Sequence, residues 1–360
     1  MLGSRSRRNI RAFVESVMSS FQISQEQNPS EWQVFVQENG RCGLYHHFGW
    51  KNVIESAYGH RTYYLSANRD GEITGILPLV LISSRVFGRS MTSLPFVDFA
   101  GLVAGDEKSR DMLLSRAIAL AGDCAAQYLE LRQADPLPGA GHTAAHKALM
   151  KLELPDDEDS LWAALPSERR NRVRRARKEG LSVEIGDAAM LDTFYDIWSR
   201  NMRDLGSPPH SRAFFKCILE EFPESSRLIF VMHEGNTIGA ALAMVWNGVM
   251  SVPWVSSLRK YFGLYPNNIL YWEALRLAVS MGCSTFDFGR STVDSGTYQF
   301  KLRWGAVPTA LNWQFFAVND SPIPQSTGSE GFGLAIEIWK RLPLFLTNAV
   351  GPSIRKNITA

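Results

Sequence analysis

Two stretches of this 360-residue chain are built alike. Residues 63–82 read YYLSANRDGEITGILPLVLI and residues 228–247 read LIFVMHEGNTIGAALAMVWN. Each runs from an apolar strand through a tight polar turn (RDGE or HEGN) to Ile-x-Gly or Ile-Gly and a second apolar strand. Glycine with Asp or Asn between β-type runs is hairpin chemistry, because glycine takes the positive φ that such turns need. The likeness continues downstream. After more strand-like sequence comes a helix, DMLLSRAIALAGDCAA in one half and NILYWEALRLAVSMGC in the other, then a short strand, YLELRQ or TFDFGRS. A hairpin, a third strand, a helix and a further strand, repeated about 165 residues apart, predict an α/β chain holding two copies of one domain.

Acidic loop sequence at 153–160, ELPDDEDS, separates the copies, which makes 1–155 and 156–320 the expected domains, each long enough to bury its own core. Residues 187–205 read as an amphipathic helix with Leu191, Phe194, Tyr195, Trp198 and Met202 at helical spacing, and 211–222 reads as another. Past Phe316 a Pro/Ser/Gly segment, NDSPIPQSTGSEG, leads to a last helix, FGLAIEIWKRL. Residues 321–360 are therefore expected to form a linker and a helix that packs back on the body. A peripheral contact of that helix with the inner membrane is the second reading.

Composition narrows the function. Hydrophobic residues make up 45% of the chain and charged residues 21%, with a net charge of +2. No general affinity for nucleic acid or membrane follows from so small a charge, so any anion site must come from local clustering. The four cysteines (Cys42, Cys124, Cys217, Cys283) form no CxxC pair and read as reduced, buried thiols. The basic start, MLGSRSRRNIRAFVES, lacks a signal-peptide core, and no uncharged run approaches the roughly 20 residues of a membrane span. A cytoplasmic location is the expectation.

The densest charge cluster is SERRNRVRRARKEG at 167–180. Ser167 is placed to cap a helix start and Gly180 to end it in the left-handed conformation. Six arginines and Lys178 face two glutamates there, leaving only a stripe of Val173 and Ala176 to pack. Such a helix repels itself unless an anion lies near, so a phosphate-bearing ligand is favoured over a solvated face. Other motifs carry less. DFG at 287–289 has no HRD loop, VAIK strand or glycine-rich phosphate loop with it, so no kinase is expected. His142 and His146 are four apart in AGHTAAHK without the glutamate of a zinc helix, so they read as ordinary surface residues and no metal site is expected. In FDFGRSTVDSGTYQFKLRWG, Lys301 stands between Phe300 and Leu302 with Trp304 beyond: either a snorkelling side chain or a cation aimed at a ligand.

With these segments in hand, the chain resembles the FemAB-related branch of the GNAT acyltransferase superfamily, in particular the FemAB-like proteins of bacterial exopolysaccharide and PEP-CTERM/exosortase loci. The resemblance runs through YHHFGWKNVIESAYGHR, GEITGILPL, SLPFVDFAG, the RNRVRRARKEG helix, YPNNILYW, FDFGRS and GTYQFKLRWG to IWKRLPL. It implies two tandem GNAT-like domains, each a mixed sheet flanked by helices, around an interdomain cleft. It also implies transfer of an acyl or aminoacyl group to an amine of a surface polysaccharide or peptidoglycan-type precursor. The acyl donor, acyl-CoA or aminoacyl-tRNA, is a substrate rather than a tightly bound cofactor. The acceptor is a small molecule or a lipid-linked sugar. A GNAT loop of R/Q-x-x-G-x-G/A is matched only loosely by Lys260-x-x-Gly263-x-Tyr265, and Pro266 removes an amide donor. The tRNA-binding coiled-coil insertion of staphylococcal relatives is missing.

Residue by residue, the resemblance carries the Fem Phe-Lys pair onto Phe300 and Lys301, and the family's basic segment onto the helix with Arg169 and Arg172. Trp50, His60, Asp98 and Arg290 fall within the shared motifs and are expected to bind substrate. Amine attack on an ester or thioester builds charge on the carbonyl oxygen, and a fixed cation lowers that barrier. Lys301 is expected to point its ammonium into the cleft as that cation. Tyr298 and Phe300 are expected to stack on a base or sugar. Asp287, Asp98 or a water is expected to take the amine proton. The competing expectation keeps the fold without activity: a module that reads nucleotide or lipid phosphate with its arginine helix.

Overall fold

The computed structural model describes residues 21–25, 27–138, 141–319 and 333–359. Its strands, in chain order, are β1 (Phe21–Ser24), β2 (Arg61–Arg69), β3 (Glu72–Ser84), β4 (Gly88–Thr92), β5 (Val103–Ala104), β6 (Tyr128–Gln133), β7 (His142–Glu153), β8 (Ser182–Gly186), β9 (Ser226–His233), β10 (Asn236–Trp246), β11 (Val249–Ser257), β12 (Thr285–Thr292) and β13 (Val307–Ala317). They lie in one mixed sheet of order β1-β2-β3-β4-β6-β13-β7-β12-β11-β10-β9-β8, with β5 on β3.

The duplication is visible in that order. Each end of the sheet is an antiparallel meander (β1 to β4, or β8 to β11) followed by a helix and a parallel strand, β6 beside β4 and β12 beside β11. The crossover helices are Glu107–Asp123 and Pro266–Ser280. Both expected hairpins form, and both turns place two residues at positive φ: Asp70 and Gly71, then Glu234 and Gly235. Four residues past each turn glycine is a second glycine, next to a register shift in its own hairpin. A Cβ on Gly75 would lie 2.9 Å from Leu113 Cδ1, and one on Gly239 would lie 2.8 Å from Ser257 Oγ. The repeated Ile-Gly pattern thus marks a close approach in both halves.

The middle of the sheet is an exchange. β7 follows β6 in the chain but pairs with β12, and β13 follows β12 but pairs with β6. The two exchanged strands then pair antiparallel with each other. The expected boundary falls in the loop between β7 and helix Glu158–Ala164, so a sequence cut there leaves each half holding a strand that completes the other.

Apolar side chains cover both faces, as the near-continuous apolar runs of β3 and β10 require. On β10, Ala240, Leu242 and Met244 face one core while Ala241 and Ala243 face another. The first of these cores is shared: Trp50, Ile54 and Tyr58 of helix Trp50–Tyr58 pack with Phe194, Phe214, Phe215 and Trp254 of the second half. One apolar core is therefore shared between the two halves. His142 and His146, read as ordinary surface residues, lie on β7. Three cysteines are half-buried and only Cys283 is buried. Among the described residues no helix is long and apolar enough to cross a membrane. The basic N-terminal segment and most of the 319–331 linker lie outside the described residues.

Candidate active site

β11 and β12 are parallel partners for only three residues, Val249–Ser251 opposite Thr285–Asp287. Beyond that, β11 continues along β10 to Ser257 while β12 turns toward β7, and the sheet opens as a V. The turn is a bulge between Asp287 and Arg290, with Gly289 at φ 74°. An extra residue in one strand bends it and raises its twist, and the positive φ requires glycine. The first half has the same short parallel contact, Met91 and Thr92 opposite Leu129 and Glu130. There the opening is filled by the 93–100 segment. Ser93 N–H donates to Glu130 O (2.8 Å), Arg132 N–H to Ser93 Oγ (2.8 Å) and Ala100 N–H to Arg132 O (3.3 Å).

Three side chains fix the bulge. Gly289 N–H donates to Asp287 Oδ1 at 2.8 Å, and Arg290 N–H donates to Asp98 Oδ2 at 3.1 Å. Lys301, on the short helix Gly296–Leu302, donates from Nζ to Gly289 O at 2.9 Å and Arg290 O at 3.0 Å. Ser295 starts that helix by accepting from Tyr298 N–H, which aims Lys301 back at the strand. A cavity of about 410 Å³ fills the V, walled by Pro253 to Val255, Gly289, Arg290, Thr297 and Lys301. Phe96 and Asp98 of the first half and Arg355 near the C-terminus close its other sides.

Charge in this site is dense and nearly dry. Asp98, Asp287 and Lys301 are each at most 7% exposed. Asp98 also pairs with Arg290 Nε at 3.4 Å. Burial, then the Asp98 charge, push the Asp287 carboxyl up to about 6. Burial brings the Lys301 ammonium down to about 8, against the pull of Asp98 and Asp287. An acid and a base are thus poised on either side of neutrality, the condition that proton-transfer chemistry needs.

Of the residues expected from sequence, Asp98, Arg290 and Lys301 meet at the cavity, and Asp287, bonded to the wall residue Gly289, does not line it. The others do not line it. Trp50 is fully buried and donates its indole N–H to Leu44 O at 3.0 Å, so it is a core residue rather than a substrate contact. His60 bonds through Nε2 to Lys356 O at 2.8 Å and ties the C-terminal segment down. The Phe300 ring packs on Tyr271 and Trp304, Tyr298 packs against the same apolar cluster, and neither lines the cavity. The Lys301 ammonium, expected to point at a donor carbonyl, spends two of its protons on backbone carbonyls.

The arginine helix is Ser167–Lys178, with Pro166 rather than Ser167 at its cap position and Gly180 at φ 80° as expected. Val173 and Ala176 are its packed stripe, joined by a fully buried Arg169. Arg169 donates to Asn268 Oδ1 at 3.1 Å and pairs with Glu168 at 2.8 Å, so it is no surface ligand for phosphate. Arg172 also pairs with Glu168, Arg177 pairs with Glu273, and Arg172 and Arg175 lie over the Tyr265 ring at 5.5 and 5.2 Å. The protein itself therefore supplies part of the compensation that the sequence pattern assigned to a ligand. No residue of this helix lines the cavity. It borders instead the start of helix Pro266–Ser280, where Tyr265 at φ 61° and Pro266 replace the glycine-rich turn of the loop motif.

Three wall residues, Phe96, His210 and Arg355, were not expected from sequence. His210 accepts from Arg355 Nε at 3.3 Å and bonds Tyr58 Oη at 2.7 Å through Nδ1. Burial, then the Arg355 charge, hold its imidazole well below its usual range and hence neutral. Phe96 adopts φ 74°, a backbone that a bulky residue keeps only under surrounding constraint, and such constraint gathers at functional sites. No local motif announces His210 and Arg355, and Phe96, although within SLPFVDFAG, carries no signal of its own; the fold brings the three together from distant points of the chain.

Residues 167–302 match the acetyltransferase (GNAT) domain. No curated protein matches the chain. Among solved structures, FemX is similar over 83% of this chain and 98% of its own, at 15% identity and a TM-score of 0.65. A tandem GNAT protein from the clavulanic acid biosynthesis pathway is similar over 84% and 99%, at 11% identity and a TM-score of 0.55. L-PGS from Bacillus licheniformis is similar over 89% and 98%, at 12% identity and a TM-score of 0.56.

Proposed function

We propose that this chain, a GNAT acyltransferase of the FemAB-like branch, moves an acyl or aminoacyl group onto an amine of a cell-envelope polysaccharide or peptidoglycan-type precursor, and does so in the β11/β12 cavity. The observation that carries the reading is the open V itself. Of two matched openings only the second is unfilled, and it is the one lined by Asp98, Arg290 and Lys301.

The donor's phosphate is taken up outside the V, between Arg172, Arg175 and the N-terminal end of helix Pro266–Ser280, whose dipole favours an anion. Its carbonyl enters along β11. The acceptor nitrogen attacks that carbonyl, a C–N bond forms, and the C–O or C–S bond to the carrier breaks with its electron pair on the leaving oxygen or sulfur, which departs as a hydroxyl or thiol once it takes up the proton that the nitrogen has lost. Charge on the carbonyl oxygen is met by Arg290 and Lys301, which cost no reorganisation because the bulge already fixes them. The ammonium proton released by the nitrogen goes to the Asp98/Asp287 pair. Burial, then the charge of Asp98, raises the Asp287 carboxyl and makes it basic enough for this task. Arg290 and Arg355 leave the acceptor side cationic, which fits a phosphorylated or lipid-linked sugar. Residues 1–155 and 156–320 serve as the two GNAT-like units, each lending a strand to the other.

Incubation of the purified chain with acyl-CoA or aminoacyl-tRNA and an amino-sugar nucleotide tests this. A mass-shifted acceptor is the expected result. Saturable donor binding with no product from either donor would favour the non-catalytic module instead.

A further inference from the structure

The C-terminal helix Leu344–Arg355 is turned inside out. Its small residues face the body: Thr347 and Gly351 are buried, and a Cβ on Gly351 would stand 2.5 Å from Pro209 Cδ. Its large apolar residues face away, with Phe345 70%, Val350 50% and Leu346 39% exposed. The preceding helix, Gly333–Arg341, also shows apolar side chains to solvent. It seats Ile336 against Gly206 and exposes Leu334 (77%) and Ile338 (53%). A surface helix ordinarily shows its polar face to water, and a contiguous apolar face marks a site of attachment.

Charge decides what attaches. No ionisable side chain occurs from Leu342 to Ile354, while Lys340 and Arg341 stand before that run and Arg355 and Lys356 after it. Glu337 is the one acid among the described residues of this segment, and Lys340 pairs with it. Because both ends of the apolar face are cationic, pairing it with a second copy would set cation against cation in either direction. An anionic surface meets no such conflict. At about 18 Å the helix is too short to span a bilayer core of about 30 Å, so its geometry is that of an interfacial helix.

We propose that the outward face of these two helices docks on a bilayer bearing anionic phospholipid. Phe345, Leu346, Val350, Leu334 and Ile338 enter the acyl boundary, and Arg341 and Lys356 reach the headgroups. The same helix carries Arg355 to the cavity wall, so docking sets the cavity beside the membrane surface. That last consequence rests on the acyl-transfer reading with a lipid-linked acceptor; the docking itself does not.

The experiment is co-sedimentation of the full-length chain with phosphatidylcholine vesicles, with and without phosphatidylglycerol. Binding is expected to vesicles with phosphatidylglycerol and to weaken at least about tenfold without it or with Phe345→Ser/Val350→Ser. The double variant should keep its circular dichroism spectrum and its transfer to a water-soluble amine acceptor. Absence of binding by the parent chain, equal binding by parent and variant, or a parent dimer that the variant converts to a monomer would each overturn the proposal. Loss of transfer to the soluble acceptor in the parent chain would count against the acyl-transfer reading alone.

Discussion

Lys301 holds a bulge together, and this changes what its removal should do. Replacing it with Met leaves Gly289 O and Arg290 O buried without their donor. The expected stability loss is about 1–3 kcal/mol for each abandoned group, read as a lower melting temperature, together with a fall in transfer of about 10² to 10³. A lower melting temperature with near-parental transfer would make Lys301 a strut only. Asp287 should act in the opposite sense. Its folded pKa, about 6, lies above the ordinary 3.8, so the stability tied to its protonated form is complete below pH 3.8 and is lost as pH rises toward 6. Asp287→Asn, which keeps an oxygen for Gly289 N–H, is therefore expected to raise the melting temperature at pH 8 while suppressing transfer. Function and stability pull apart at this position. If Asp287 must be ionised and Lys301 protonated, kcat/KM should rise through about pH 6 and fall through about pH 8. A flat profile over that range would remove both from the proton chemistry. Sequence found these two residues and could not tell their roles, because a strand-end Asp and a lysine between apolar neighbours are equally compatible with ligand contact and with internal bonding. It misread Trp50 and His60 for the same reason: a shared segment carries core residues and site residues together.

Elements whose signals are local were legible. Both hairpins followed from turn glycines. The crossover helices expected at 111–126 and 268–283 begin a few residues earlier, at Glu107 and Pro266, and the arginine helix forms with Pro166 rather than Ser167 at its cap. The second glycine of each hairpin gives a test at this scale. Gly75→Val puts new atoms against Leu113, Ala104 and the Val103 carbonyl, all within 3.1 Å of an added Cβ. A loss of about 1–3 kcal/mol is expected by denaturant titration. The arginine helix is legible in composition and misleading in meaning, because Glu168, Glu273 and the Tyr265 ring, which absorb part of its charge, are recognised only when folded. Arg172→Gln/Arg174→Gln/Arg175→Gln should weaken donor binding and flatten its dependence on salt, since a phosphate that no arginine neutralises keeps its counterions. Unchanged affinity at low salt would reduce this helix to a solvated face. Among the elements sequence missed are β13, the helix Leu344–Arg355 beyond the one last helix expected, and β7, whose small alternating residues carry no strand signature and whose pairing is entirely long-range.

At the scale of the whole molecule, the repeat predicted two like units, and the sheet joins them by trading strands. Local pattern does not specify which copy a strand completes, so this feature was not legible in the sequence. The trade also sets a timetable for synthesis. β6 is made by residue 133, but the strand that covers its open edge ends at residue 317, about 180 residues later. At translation rates of about 5–20 residues per second, the N-terminal half waits roughly ten to forty seconds on the ribosome with an unpaired edge. It cannot finish as an independent unit before the rest arrives. A nascent chain of this design is exposed to mispairing with its neighbours on a polysome, and its yield in the cell should depend on how well chaperones shelter β6 during that interval.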